Sequence, residues 1–114
     1  MSTNYKLVAF DLDDTLAPSK SPLPDRMANA LDALLRLTQV CVISGGQFAQ
    51  FDAQVLANLK AEPSALANLH LMPTCGTRYV VFTDGAWRDV YARDLSAKER
   101  SDALAVLKEE ARRL

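Results

Sequence analysis

Leu7-Val8-Ala9-Phe10-Asp11-Leu12-Asp13-Asp14-Thr15-Leu16 decides how the rest of the chain is read. Its opening residues are uniformly apolar, the pattern of a short strand buried on both faces of a parallel sheet. Asp11, Asp13 and Asp14 follow where that strand must end. Carboxylates crowded at a strand end repel one another unless a cation or a proton neutralises them. In open α/β sheets, ligands bind beyond the carboxyl ends of the strands. Asp11 and Asp13, on a chain just leaving the sheet, can both point into that crevice.

The sequence on either side supplies the remainder of such a sheet. A loop with Pro18, Pro22 and Pro24 leads to a helix expected over 25–38, with Met27, Leu31, Leu34 and Leu35 on one face. Gln39-Val40-Cys41-Val42-Ile43 reads as a second buried strand. Ser44-Gly45-Gly46 breaks it, and Phe48, Phe51, Val55 and Leu59 return at helical spacing. Two strands joined by a helix imply a parallel βαβ unit. A short helical turn over 64–68 precedes a third strand, Leu69-His70-Leu71-Met72, stopped by Pro73. Arg78-Tyr79-Val80-Val81-Phe82 and Trp87-Arg88-Asp89-Val90-Tyr91 flank Asp84-Gly85, a hairpin turn signal. Trp87 and Tyr91 alternate along that hairpin as cross-strand packing. Ser96-x-x-Glu99 is a capping box, opening a last helix with Ala103, Leu104 and Leu107 on an apolar face and a charged, solvated face opposite. The fold class is therefore α/β.

Composition narrows the function. A chain of 114 residues, 49% of them hydrophobic, suits one domain and excludes intrinsic disorder. Thirteen basic against 14 acidic residues leave a net charge of −1, with no basic patch for nucleic acid. No apolar run approaches the length of a membrane span, so no membrane partner is expected. The N-terminus lacks the apolar core of a signal peptide, and Cys41 and Cys75 lack metal-ligand spacing. A cytoplasmic protein with reduced thiols is the expectation. His70, the sole histidine, has no Cys or Asp constellation beside it and reads as a core or edge residue.

The chemistry gathers at the first two strand ends. If these strands are neighbours, about 4.8 Å apart, Ser44 faces the Asp11 loop across a phosphate-sized gap. The Ser44-Gly45-Gly46 turn also offers backbone N–H groups at the start of a helix, where anions bind. A carboxylate nucleophile, a second carboxyl that can carry a proton, a hydroxyl and free amides together suit phosphoryl transfer. Mg²⁺, held by one or two carboxylates plus substrate phosphate, completes such a site. A calcium loop is ruled out, since Leu16 and Pro22 stand where its glycine and glutamate belong. A receiver-type signalling domain would close its third strand with an acceptor aspartate, and here Pro73-Thr74 follows.

Leu7-Val8-Ala9-Phe10-Asp11-Leu12-Asp13-Asp14-Thr15 resembles motif I of the haloacid dehalogenase-like (HAD) superfamily. Val40-Cys41-Val42-Ile43-Ser44-Gly45-Gly46 resembles its motif II. The continuation through Pro73-Thr74-Cys75-Gly76-Thr77 and the hairpin is similar to the subfamily with a type-IIB cap, which holds phosphomannomutase-like and sugar-phosphatase-like enzymes. The resemblance implies a Rossmann-like three-layer core with a parallel sheet. It implies that Asp11 is the nucleophile, becomes an aspartyl-phosphate and binds Mg²⁺. Asp13 matches the general acid/base, with its backbone carbonyl on the metal. Thr15 matches the residue that orients the loop and Ser44 the donor to phosphate oxygen, with Leu12 and Gly45 flanking them on the phosphate-binding side. The implied substrate is a phosphorylated small molecule, a sugar phosphate, with phosphatase and mutase both open.

Some positions depart from the family. Asp14 stands where glycine is common, and Cys75-Gly76 where many relatives have Asn-Gly or Ser-Gly. The family also needs a lysine and a late acidic motif. Lys98, Lys108, Glu109 and Glu110 fall on the last helix and do not stand in for them. Residues 1–114 are thus expected to be the N-terminal part of a HAD-like core, without its cap and later core strands. Alone, such a piece is expected to be inactive and to self-associate. A catalytically incomplete binding module is the alternative, and a receiver-like domain a lesser one.

Overall fold

The computed structural model describes residues 6–93 and 96–113, with the side chain of residue 113 left out. The quoted stretch forms β1 (Leu7–Asp11), and a proline-rich loop leads to α1 (Asp25–Leu35). β2 (Gln39–Ile43), α2 (Phe48–Gln54), α3 (Pro63–Leu66) and β3 (Leu69–Met72) follow. β4 (Arg78–Thr83) and β5 (Ala86–Ala92) make the hairpin, and α4 (Ala97–Arg113) ends the described chain. Among the described residues the strands form one sheet in the order β1-β2-β3-β4-β5. β1, β2 and β3 are parallel, whereas β4 and β5 return antiparallel.

The core explains this arrangement. Val40, Val42, Leu69, Leu71 and Val80 pack on one sheet face against Leu31 and Leu35 of α1, Phe51 of α2, Val55 and Ala65. Leu12, Leu16, Ala17 and Leu23 extend the same cluster under the loop after β1. Phe51, Leu12, Leu35, Leu69, Leu71, Val40, Val42 and Val55 are fully enclosed. Burying side chains of this size stabilises by about 1.5–3 kcal/mol each before entropy is subtracted. Of the three layers such cores carry, the described residues supply two: the sheet, and helices on one face.

The opposite face is open. Leu7, Gln39, Cys41, His70, Met72 and Tyr79 line a cavity of about 280 Å³ there. β1 is consequently not buried on both faces as its apolar run suggests. It lies at the edge of the sheet, with Val8 and Phe10 half-buried and Leu7 54% exposed. Alternation of contacts, not sequence, decides which face is covered. Burial pushes the Cys41 thiol up from its ordinary value, and neither Cys41 nor Cys75 is disulfide-bonded.

Local chemistry fixes the boundaries. Leu37 and Thr38 both donate backbone N–H groups to Leu34 O, ending α1 before the expected position. α2 stops at Gln54, where Val55, still in the right-handed helical region at φ −108°, ψ −64°, caps it, and a 3₁₀ turn carries Leu56–Asn58. Asp84 and Gly85 both take positive φ, 52° and 79°, as a tight hairpin turn requires. Phe82 stacks edge-on against Trp87 at 5.2 Å and Tyr79 against Tyr91 at 5.9 Å, the expected cross-strand packing. The capping box closes reciprocally: Glu99 N–H donates to Ser96 Oγ at 3.1 Å, and Ser96 N–H to Glu99 Oε1 at 3.0 Å. Among the described residues the apolar stripe of α4 is uncovered, with Leu104 50%, Val106 61% and Leu107 66% exposed.

Candidate active site

The register of β1 on β2 sets the site. Asp11 pairs with Ile43, so Ser44 leaves β2 beside the point where Leu12 leaves β1. Leu12 N–H donates to Ile43 O at 3.2 Å, carrying the ladder one residue past the strand. Its side chain is fully buried and its carbonyl accepts from Thr15, Leu16 and Ala17. That turn lifts Asp11 and Asp13 out of the sheet on either side of a fixed residue. Asp11 is exposed at the strand end. Asp14, at φ 61°, adopts the left-handed conformation that suits glycine at this position. Its carboxylate accepts from Ser19 N–H at 3.1 Å, which steadies the turn.

Asp13 turns the other way, toward α2. Its Oδ1 accepts from Lys20 N–H at 3.1 Å, and the Gln50 amide nitrogen lies 3.4 Å from Oδ1 and 3.3 Å from Oδ2. Gln54 Nε2 lies 3.5 Å from Oδ1 and donates to Ser21 O at 2.6 Å. Neither glutamine stands out in the sequence. A pair at i, i+4 on the helix that follows Gly45-Gly46 was the only available signal, and such pairs are ordinary on helices.

Ser44 is buried at the end of β2, with its N–H on Met72 O at 3.3 Å. Gly46 N–H donates to Ser44 Oγ at 3.1 Å, which leaves the Ser44 hydroxyl proton for another acceptor. The expected row of free amides at the start of α2 is therefore not what this turn provides, since the Gly46 N–H is taken. α2 itself is only seven residues long. The end of β3 is stitched to the same corner: Thr74 N–H donates to Gly46 O at 2.8 Å and Cys75 N–H to Ser44 O at 2.9 Å. Cys75 sits at φ 57° in this turn, 3.5 Å from where a side chain on Gly45 would begin. Thr15 lies elsewhere, on a groove of about 140 Å³ with Phe10, Met27 and Leu31.

The structure thus brings Asp11, Leu12, Asp13, Ser44 and Gly45 to one end of adjacent parallel strands. Among the described residues, no three His, Cys, Asp or Glu side chains converge on a point. The donor set suits Mg²⁺, which accepts one or two carboxyl ligands and takes the rest from water and phosphate. Asp11 offers an exposed carboxylate, while the Asp13 carboxylate is turned to its amides, so Asp13 would offer its backbone carbonyl.

Solved structures share this fold. A haloacid dehalogenase-like hydrolase from B. subtilis superposes with a TM-score of 0.66 at 25% identity, over 94% of this chain and 34% of that one. A phosphatase of the HAD superfamily from Bacteroides thetaiotaomicron gives 0.65 at 11% identity, covering 93% and 36%. The IMP-bound, N-terminally truncated IMP-nucleotidase of Plasmodium falciparum gives 0.66 at 14% identity, covering 91% and 33%. No sequence profile of a known family matches the chain, and no curated protein sequence matches it. The chain spans about a third of the length of these solved structures. The fold is that of the HAD-like hydrolases, as the motifs implied.

Proposed function

We propose that a chain with this HAD-like fold serves Mg²⁺-dependent phosphoryl transfer from a phosphorylated small molecule. The observation that carries the reading is the parallel register of Asp11 with Ile43, which brings exposed Asp11 and the following Ser44 to the same end of adjacent strands. Asp11 is the nucleophile that takes the phosphoryl group as an aspartyl-phosphate. Asp13 protonates the leaving oxygen and later activates the acceptor. Ser44 donates its hydroxyl to a phosphate oxygen beside Gly45, while Leu12 and Thr15 hold the loop on which the carboxylates stand. Bound Mg²⁺, on Asp11 and the Asp13 carbonyl, would offset charge between carboxylate and phosphate.

The substrate class is a sugar phosphate, by the type-IIB resemblance, with water or a sugar hydroxyl as acceptor. A nucleoside monophosphate is the second reading, favoured by the likeness to an IMP-nucleotidase. Among the described residues no three His, Cys, Asp or Glu side chains converge on a point, and Lys98, Lys108, Glu109 and Glu110 lie on α4. In this reading the lysine and the late acidic motif that the resemblance calls for are not supplied, and the 114-residue chain alone does not turn over. The protein acts in the cytoplasm, and in isolation a second copy of the chain covers its open sheet face. Assaying the full-length protein against both phosphate classes tests the reading. Phosphate release that needs Mg²⁺ and disappears in Asp11→Asn supports it; release that survives Asp11→Asn overturns it.

A further inference from the structure

The Asp13 carboxylate is held asymmetrically. Oδ1 faces three N–H groups: Lys20 N at 3.1 Å, Gln50 Nε2 at 3.4 Å and Gln54 Nε2 at 3.5 Å. Oδ2 faces Gln50 Nε2 alone, at 3.3 Å. Gln54 is only 4% exposed, and its donation to Ser21 O at 2.6 Å fixes which way the amide points. Turned over, its Oε1 would meet another carbonyl oxygen. Gln50 reaches Asp13 by folding across Gly46, where a Cβ would stand 1.8 Å from Gln50 Oε1. The glycine thus makes room for the reach. Since the obstructing atom is the tip of a flexible side chain, an alanine there would displace Gln50 without displacing backbone.

We propose that Gln50 and Gln54 are positioning residues that hold the Asp13 carboxylate toward α2. This rests on the phosphoryl-transfer reading above. In the first half-reaction, the bond from Asp11 to phosphorus forms as the bond from phosphorus to the leaving oxygen breaks. The proton on the Asp13 carboxyl passes to that oxygen. In the second, Asp13 takes a proton from the water or hydroxyl that attacks the aspartyl-phosphate and displaces Asp11, so the carboxyl is restored. Gln50 Nε2 is shared between the two oxygens, while Lys20 N–H and Gln54 Nε2 hold Oδ1. Rotation of the carboxylate would exchange the two oxygens, and amides converging from α2 and from the loop oppose it.

Two measurements test this. In the ¹⁵N NMR spectrum of the 114-residue chain, the Gln50 and Gln54 side-chain amide signals should both move in Asp13→Ala. Only the Gln50 signal should move to the position of an exposed glutamine in Gly46→Ala, with the backbone spectrum otherwise retained. Signals indifferent to Asp13→Ala would overturn the clamp whether or not the protein is an enzyme. In the full-length protein, Gln50→Met should lower kcat about 10- to 100-fold on an alkyl phosphate. KM should stay within about twofold, and an aryl phosphate, whose leaving group needs little protonation, should be far less affected. An equal loss on both substrates would assign Gln50 a merely structural role and overturn the proposal. If Asp13→Asn also leaves the alkyl and aryl rates in their original ratio, the phosphoryl-transfer reading of Asp13 has failed instead.

Discussion

His70 Nδ1 stands 2.6 Å from the Tyr79 hydroxyl, on the sheet face that no described helix covers. The other ring nitrogen lies 2.6 Å from Gln39 Oε1, an atom that can only accept. Nε2 therefore carries a proton, and Nδ1 shares a hydrogen bond with the Tyr79 hydroxyl, which can donate or accept. Gln39 Nε2 donates onward to Asn68 Oδ1 at 2.7 Å, and Asn68 Nδ2 to Leu35 O at 2.8 Å. From His70 onward every donor in this row points the same way, across β2 to the end of α1.

Burial lowers the His70 pKa below its ordinary 6.5. The unfolded chain then binds a proton more readily than the folded one. Stability is fully present above about pH 6.5 and is lost as pH falls through that value toward the folded pKa. Chemical denaturation between about pH 7 and pH 5.5 should show this decline, and His70→Gln should flatten it. An unchanged slope in the variant would assign the pH dependence to carboxylates.

Phe51 anchors α2 in the same core cluster as Leu12 and Leu16 of the loop after β1 and is fully buried. Phe51→Ala should cost about 3–5 kcal/mol in urea unfolding, a large part of the about 5–15 kcal/mol of a typical domain. Because Gln50 and Gln54 ride on the same helix, their side-chain amide signals should broaden in this variant. A cost below about 1 kcal/mol would mean that the loop closes around the void.

Mg²⁺ should bind the 114-residue chain weakly. Asp11 and one backbone carbonyl give few protein ligands, so calorimetric titration should return millimolar affinity, about −4 kcal/mol. Micromolar binding would show that an acidic residue outside this site, such as one on α4, completes the metal shell.

The open face should make the isolated chain self-associate. Leu7, Cys41 and Met72 line its apolar cavity, and Leu104 and Leu107 of α4 stand exposed. Contiguous apolar surface of this kind is rarely left bare. Light scattering should give a mass above the monomer that falls toward it in Leu104→Glu/Leu107→Glu. A strict monomer in the parent chain at high concentration would contradict it.

The order of strands and helices was legible because each carries its own signal. The Asp84-Gly85 turn, Pro73 after β3 and the Ser96–Glu99 box all act over a few residues. The apolar run of β1 could not reveal that one face is open, because covering it depends on what packs there, not on the strand. Val55 and Leu59 kept the apolar period of α2 going, yet both point inward from a turn and a loop, so the helix ends sooner. At the site, Asp11, Asp13 and Ser44 were visible as carboxylates and a hydroxyl at strand ends. Gln50 and Gln54 were not, since their role arises only when the register of β1 on β2 brings Asp13 over α2. Leu12 was legible as a neighbour of the carboxylates, but not as the buried pivot whose N–H extends the sheet.

The central claim is that Asp11 takes the phosphoryl group. The most direct measurement is to incubate the full-length protein with Mg²⁺ and a small phosphodonor, then reduce it with borohydride and map the peptides by mass. An aspartyl-phosphate is reduced to homoserine at the residue that carried it. The account requires homoserine at position 11, absent without donor and absent in Asp11→Asn. Homoserine at another aspartate, or none while phosphate is still released, would contradict it.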